Sequence, residues 1–84
     1  MSLEITAAWW GSEEGVADKG VDVLTQVKTL QASGEASVPI GNEVMGSDPL
    51  NGVVKTLFVT YTVGGEVKKL TVLEYESLVF ANLV

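Results

Sequence analysis

From Val53 onward the chain alternates apolar and polar residues in two runs, 53–63 and 66–75, with Gly64-Gly65 between them. Alternation of period two marks strands, and a glycine pair between two such runs marks a tight hairpin. A two-residue turn sets the register. Val63 faces Glu66, Tyr61 faces Lys68, Val59 faces Leu70 and Leu57 faces Val72. Leu57, Val59, Tyr61 and Val63 then share one face, and Thr56, Phe58, Thr60 and Thr62 share the other. Leu57, Val59, Leu70 and Val72 are the core candidates.

The first half is less regular. Residues 3–10 begin with alternation: Leu3, Ile5 and Ala7 on one side, Glu4 and Thr6 on the other. This predicts a strand ending at Gly11. Residues 12–20 are polar and read as a loop. Asp22 can cap a short helix carrying Val23, Val27 and Leu30 at helical spacing, with Leu24 widening the stripe and Gly34 as the stop. Residues 37–40 predict a short strand. Residues 41–52 hold Gly41, Asn42, Gly46, Ser47, Asp48, Pro49, Asn51 and Gly52 and read as a second loop. Residues 78–84 predict a last strand. The expected fold is one mainly β domain over 1–84, a small twisted antiparallel sheet or sandwich of about five strands. One short helix follows the first strand.

Eleven strand residues reach about 36 Å. A domain of this size has a radius of gyration of about 12 Å. The ribbon is therefore expected to bend, to coil or to project, and a projecting ribbon is an assembly surface or an edge liability. The apolar end, Phe80-Ala81-Asn82-Leu83-Val84, points the same way. A homo-oligomer is the partner these features favour.

Composition narrows the chemistry. The 84 residues include no Cys, His or Arg. Disulfides, thiolate or imidazole metal sites and bidentate clamping of phosphate are thereby excluded. Acids outnumber lysines 11 to 5, and the excess lies in residues 1–48. Such a balance disfavours nucleic acid and anionic membranes as partners and favours solubility. No run of about 18 apolar residues is present, and no signal peptide is visible, which weighs slightly toward the cytoplasm.

Few residues stand out as chemistry. Trp9 and Trp10 are adjacent on a strand, so one enters the core and the other faces away. An outward Trp is an anchor for a partner or a platform for a sugar ring. The alternative is that it packs beneath the loop that follows. Glu13, Glu14, Asp18 and Asp22 have oxygen ligands of the kind calcium takes, but not the spacing of a calcium loop. Asn42, Asp48 and Asn51 in the second loop are candidates for sugar hydroxyls, or for turns that bond their own backbone. Phe58 and Tyr61 are candidate anchors on the ribbon. No catalytic constellation and no cofactor motif is present. The expected function is non-enzymatic: a self-associating recognition or interaction module, or alternatively a small carbohydrate-binding module. Trp9, Trp10, Asn42, Asp48, Asn51, Phe58 and Tyr61 are its binding candidates.

One resemblance covers nearly the whole chain. Ile5-Thr6-Ala7-Ala8-Trp9-Trp10-Gly11, Asp22-Val23-Leu24-Thr25-Gln26-Val27, Gly46-Ser47-Asp48-Pro49, Gly52-Val53-Val54-Lys55-Thr56-Leu57 and Val59-Thr60-Tyr61 follow one another in that order. This order resembles a small domain family akin to the C-terminal domain of the DnaJ-like protein C11. Two stretches depart from the family pattern. Asp22-Val23-Leu24-Thr25 has one residue more before its Thr. Leu73-Glu74-Tyr75-Glu76 stands where the family pattern would have a Glu-Gly turn. The resemblance implies an accessory β-rich domain and no catalytic activity.

Overall fold

A computed structural model describes residues 3–46, 50 and 52–83. The fold is mainly β. Its main sheet has four antiparallel strands in the order β2-β1-β4-β5. These are β1 (Leu3–Gly11), β2 (Gly20–Asp22), β4 (Thr56–Val63) and β5 (Glu66–Leu73). A second sheet pairs β3 (Ser37–Pro39) with β6 (Ser77–Val79). The helices are α1 (Leu24–Ala32) and the single-turn α2 (Asn42–Met45).

The β4–β5 hairpin has the register its sequence dictates: Val63 with Glu66, Tyr61 with Lys68, Val59 with Leu70, Leu57 with Val72. Gly64 and Gly65 both take positive φ, 57° and 87°, as the mirror-image turn matching strand twist requires. The regular ladder starts at Thr56 rather than Val53 and stops at Leu73 rather than Tyr75. The ribbon does not stand free of the domain. The β1 strand pairs with β4 from Leu3–Val63 to Gly11–Thr56, so the hairpin is one half of a wider sheet, with β4 inside and β5 at its edge. The molecule is drawn out to 39 Å along one axis, with a radius of gyration of 12.1 Å.

One β-bulge decides the faces of β1. Ile5 is opposite Tyr61 and Ala7 is opposite Thr60, which leaves Thr6 as an extra residue. The phase of the strand flips there. Ile5, Ala8 and Trp10 point into the core, and Ala7 turns outward, against the simple alternation of Leu3, Ile5 and Ala7. The inward side chains meet Leu57, Val59, Tyr61 and Val72 from the hairpin, Val23 and Val27 from the helical segment, and Ile40, Met45, Leu78 and Leu83.

Three local expectations are corrected. The segment before the helix forms β2, because Gly20 and Val21 extend the β1 ladder and the Val23 N–H still donates to Ala8 O at 3.0 Å. Val23 takes the N-cap position, while the Asp22 carboxylate accepts the Leu24 N–H at 2.9 Å one step earlier. The second loop contains α2, closed by Gly46 in the left-handed conformation. The C-terminal strand ends at Val79. Phe80–Asn82 is a 3-10 turn that folds Leu83 into the core, with Phe80 half-buried and Ala81 exposed.

Candidate functional site

The two tryptophans part as adjacent strand residues must. Trp10 is wholly buried, and its indole N–H donates to Asn42 Oδ1 at 3.2 Å. Trp9 lies half-buried on the outer face, opposite Phe58 of β4 and Asp22 of β2. Its Nε1 is buried and has no hydrogen-bond partner among the described residues. The indole lies against Gly20, where an added Cβ would come within 2.3 Å of Nε1. The loop after β1 is tied to β5 by the Glu14–Lys69 ion pair, 3.0 Å long. Trp9 and Phe58 therefore form a cross-strand aromatic pair, with Trp9 held against Gly20. Both rings are half-buried.

Tyr61 is corrected as an anchor. It is buried, because its place in the register puts it on the inner face beside Val59 and opposite Ile5. Trp10 is removed from the binding candidates for the same reason. Asp48 and Asn51 lie outside the described residues. Asn42 remains, and it lines a depression in the surface.

That depression is a cleft of about 270 Å³ lined by Asn42, Gly52, Val53, Val54, Lys55, Glu74 and Tyr75. The register extended past β4 and β5 brings Lys55 and Glu74 together. Both are buried, with Lys55 Nζ 3.6 Å from Glu74 Oε1. Lys55 Nζ also donates to Leu50 O and Val53 O. Glu74 Oε1 accepts the Lys55 backbone N–H at 3.0 Å. The charges neutralise one another and are bound further by backbone groups, as buried charges must be.

Tyr75 is the feature that sequence reasoning passed over. Its φ is +75°, and it is the non-glycine residue of positive φ in the described chain. It sits third in the turn Leu73-Glu74-Tyr75-Glu76, closed by Glu76 N–H to Leu73 O at 3.0 Å. A turn of this shape asks for glycine there. The Tyr75 N–H is fixed on Ile40 O at 2.9 Å, yet the side chain is 82% exposed. Val53 and Val54 lie on the same cleft, 45% and 63% exposed. The signal for Tyr75 in the sequence was a four-residue turn, Leu73-Glu74-Tyr75-Glu76, without a glycine.

The chain matches no family model, no curated protein and no solved structure. Among the described residues no group of three or more His, Cys, Asp or Glu is placed to hold a metal ion. No helix among them is long and apolar enough to cross a membrane.

Proposed function

We propose that this chain is a non-enzymatic recognition module whose binding surface is the cleft at Tyr75. The observation that carries the reading is Tyr75 itself: a large aromatic ring held in water on a backbone that large residues avoid. Packing does not compensate that strain, since most of the side chain touches solvent. Asn42 lines the cleft beside it, anchored by the Trp10 indole. The ionisable groups of the floor are Lys55 and Glu74, and both are engaged with each other and with backbone, which favours binding over acid–base chemistry. The occupant we favour is a peptide segment of a protein partner, with an apolar side chain against Tyr75, Val53 and Val54.

A second reading is favoured by the juxtaposition of Tyr75 and Asn42. An exposed aromatic face beside a side-chain amide, in a cleft without an unpaired charge, is the chemistry that accepts a neutral sugar ring. One experiment decides both. A peptide phage library and a glycan panel are screened on the wild type, with Tyr75→Gly as the counter-screen. Peptides retained only by the wild type support the first reading; sugars retained only by the wild type support the second. If neither screen yields a Tyr75-dependent binder, the cleft is not the binding surface.

A further inference from the structure

The main sheet ends on one side at β2, three residues long, and on the other at β5, eight residues long. We propose that two copies of this chain pair along β5, antiparallel, about a two-fold axis at Leu70. The two sheets then become one. The cleft at Tyr75 takes no part in this.

The hairpin fixes which backbone groups are open. Val63 and Glu66 flank the two-residue turn, and such a flanking pair exchanges both of its hydrogen bonds. Glu66, Lys68, Leu70 and Val72 therefore direct their N–H and C=O groups to β4. Val67, Lys69, Thr71 and Leu73 direct theirs to the open edge. The same phase continues at Glu74, whose N–H donates back to Lys55 O at 2.8 Å. At the far end the Leu73 N lies 3.4 Å from the Glu76 carboxylate, a long contact that strand pairing would replace.

The side chains then choose the register. A continuous sheet must place outer residues opposite outer residues. An axis at Lys69 would set that lysine against its own copy. An axis at Thr71 would set Lys69 against the partner's Leu73 and bring Val67 opposite the partner's Tyr75, after the chain has left the strand. An axis at Leu70 sets Val67 opposite the partner's Leu73, twice. It sets Lys69 opposite the partner's Thr71, and Leu70 opposite its copy on the inner face. Val67 and Leu73 are 66% and 50% exposed in the single chain, the two large apolar side chains on the outer face of β5. Only this register covers both. The lysines that guard such edges already have acids: Lys69 with Glu14 at 3.0 Å and Lys68 with Glu66 at 3.5 Å.

The absence of cysteine makes the test clean. Wild-type protein is measured by size exclusion with light scattering over a dilution series, then single-cysteine variants are oxidised. The expected results are a dimer, a disulfide-linked dimer from Leu70→Cys, and none from Val67→Cys. The Leu70 pair would be the non-hydrogen-bonded kind, whose close Cβ atoms suit a disulfide. Should Leu70→Cys fail to fold, a nitroxide at exposed Val67 reads the same register. The two labels then stand on backbone about 20 Å apart for an axis at Leu70, against about 14 Å for one at Lys69. Val67→Lys with Leu73→Lys is expected to give a folded monomer. A wild-type monomer at high concentration, a dimer that survives the double lysine variant, or the shorter label distance overturns the proposal. So does a monomer whose β5 accepts only a foreign strand.

Discussion

Lys55 and Glu74 hold each other through backbone and side chain at once. The Glu74 N–H donates to Lys55 O at 2.8 Å, the Lys55 N–H donates to Glu74 Oε1 at 3.0 Å, and the side-chain charges meet at 3.6 Å. The pair thus extends the β4–β5 ladder beyond its last regular rung and forms the floor of the cleft. Removing one charge strands the other in a buried site. Lys55→Met and Glu74→Gln are each expected to lose about 3–5 kcal/mol in urea unfolding. The double variant is expected to lose clearly less than the sum. Additive losses would show that the pair is not coupled.

Tyr75→Gly is expected to stabilise the domain, against the usual direction of mutation. Glycine relieves a left-handed backbone that costs a non-glycine residue about 1–3 kcal/mol. Its greater freedom in the unfolded chain returns part of that, leaving a gain of about 1 kcal/mol. A raised denaturation midpoint with an unchanged slope is the reading to look for. A lowered midpoint would mean that the ring contributes packing.

Gly20 and Gly11 face each other across β1 and β2. A Cβ on Gly20 would lie 2.3 Å from the Trp9 indole nitrogen and 2.5 Å from the Trp10 carbonyl oxygen. Gly20→Ala is expected to destabilise by about 1–3 kcal/mol and to displace Trp9 into solvent. Red-shifted tryptophan emission reports the displacement. An unshifted spectrum at wild-type stability would contradict the close approach.

Asn42→Ala takes the acceptor from the buried Trp10 indole, 3.2 Å away. A loss of about 1–3 kcal/mol is expected for the orphaned donor. Trp10→Phe in the same background should make the second change nearly neutral to the hydrogen bond, leaving only the packing loss. A thermal-melt cycle over the four proteins isolates that term.

The Glu14–Lys69 pair belongs to a different class. Its side chains are 35% and 63% exposed. Glu14→Gln should cost no more than about 1 kcal/mol, and the difference should vanish in high salt. A large, salt-resistant loss would assign the loop a structural role beyond this contact.

The register of the hairpin was legible, though its ends were not, because Gly64-Gly65 permits one tight turn and the turn sets every pairing after it. The helix stripe was legible too: Val23 and Val27 are buried, and Leu24 and Leu30 are half-buried. The face of Trp10 was not, because an extra residue at Thr6 leaves no mark in composition. Nor was β2, since three residues carry too little pattern to separate a strand from a loop. Tyr61 looked like an anchor because so long a ribbon was expected to project; instead β1 pairs along β4, and the face Tyr61 shares with Leu57 and Val59 is packed into the core. Of the cleft, Asn42 was visible as a loop polar residue. The register sets Lys55 opposite Glu74, but their burial was not visible, because charged residues at a strand end read as solvated.

The bulge at Thr6 makes β1 one residue longer than the ladder it feeds. Parity along the strand is therefore a matter of counting. Two neighbouring tryptophans, identical in chemistry, are sorted into interior and exterior by their pairing with Leu57 and Phe58, and the extra threonine lets Ile5 share the interior with Trp10. A chain lacking Thr6 would place Ile5 beside Tyr61 and Ala7 beside Thr60 in unbroken alternation, with Trp10 still inside. Here a strand can be shortened without changing what it buries, and unchanged Trp10 emission in a Thr6 deletion would show it.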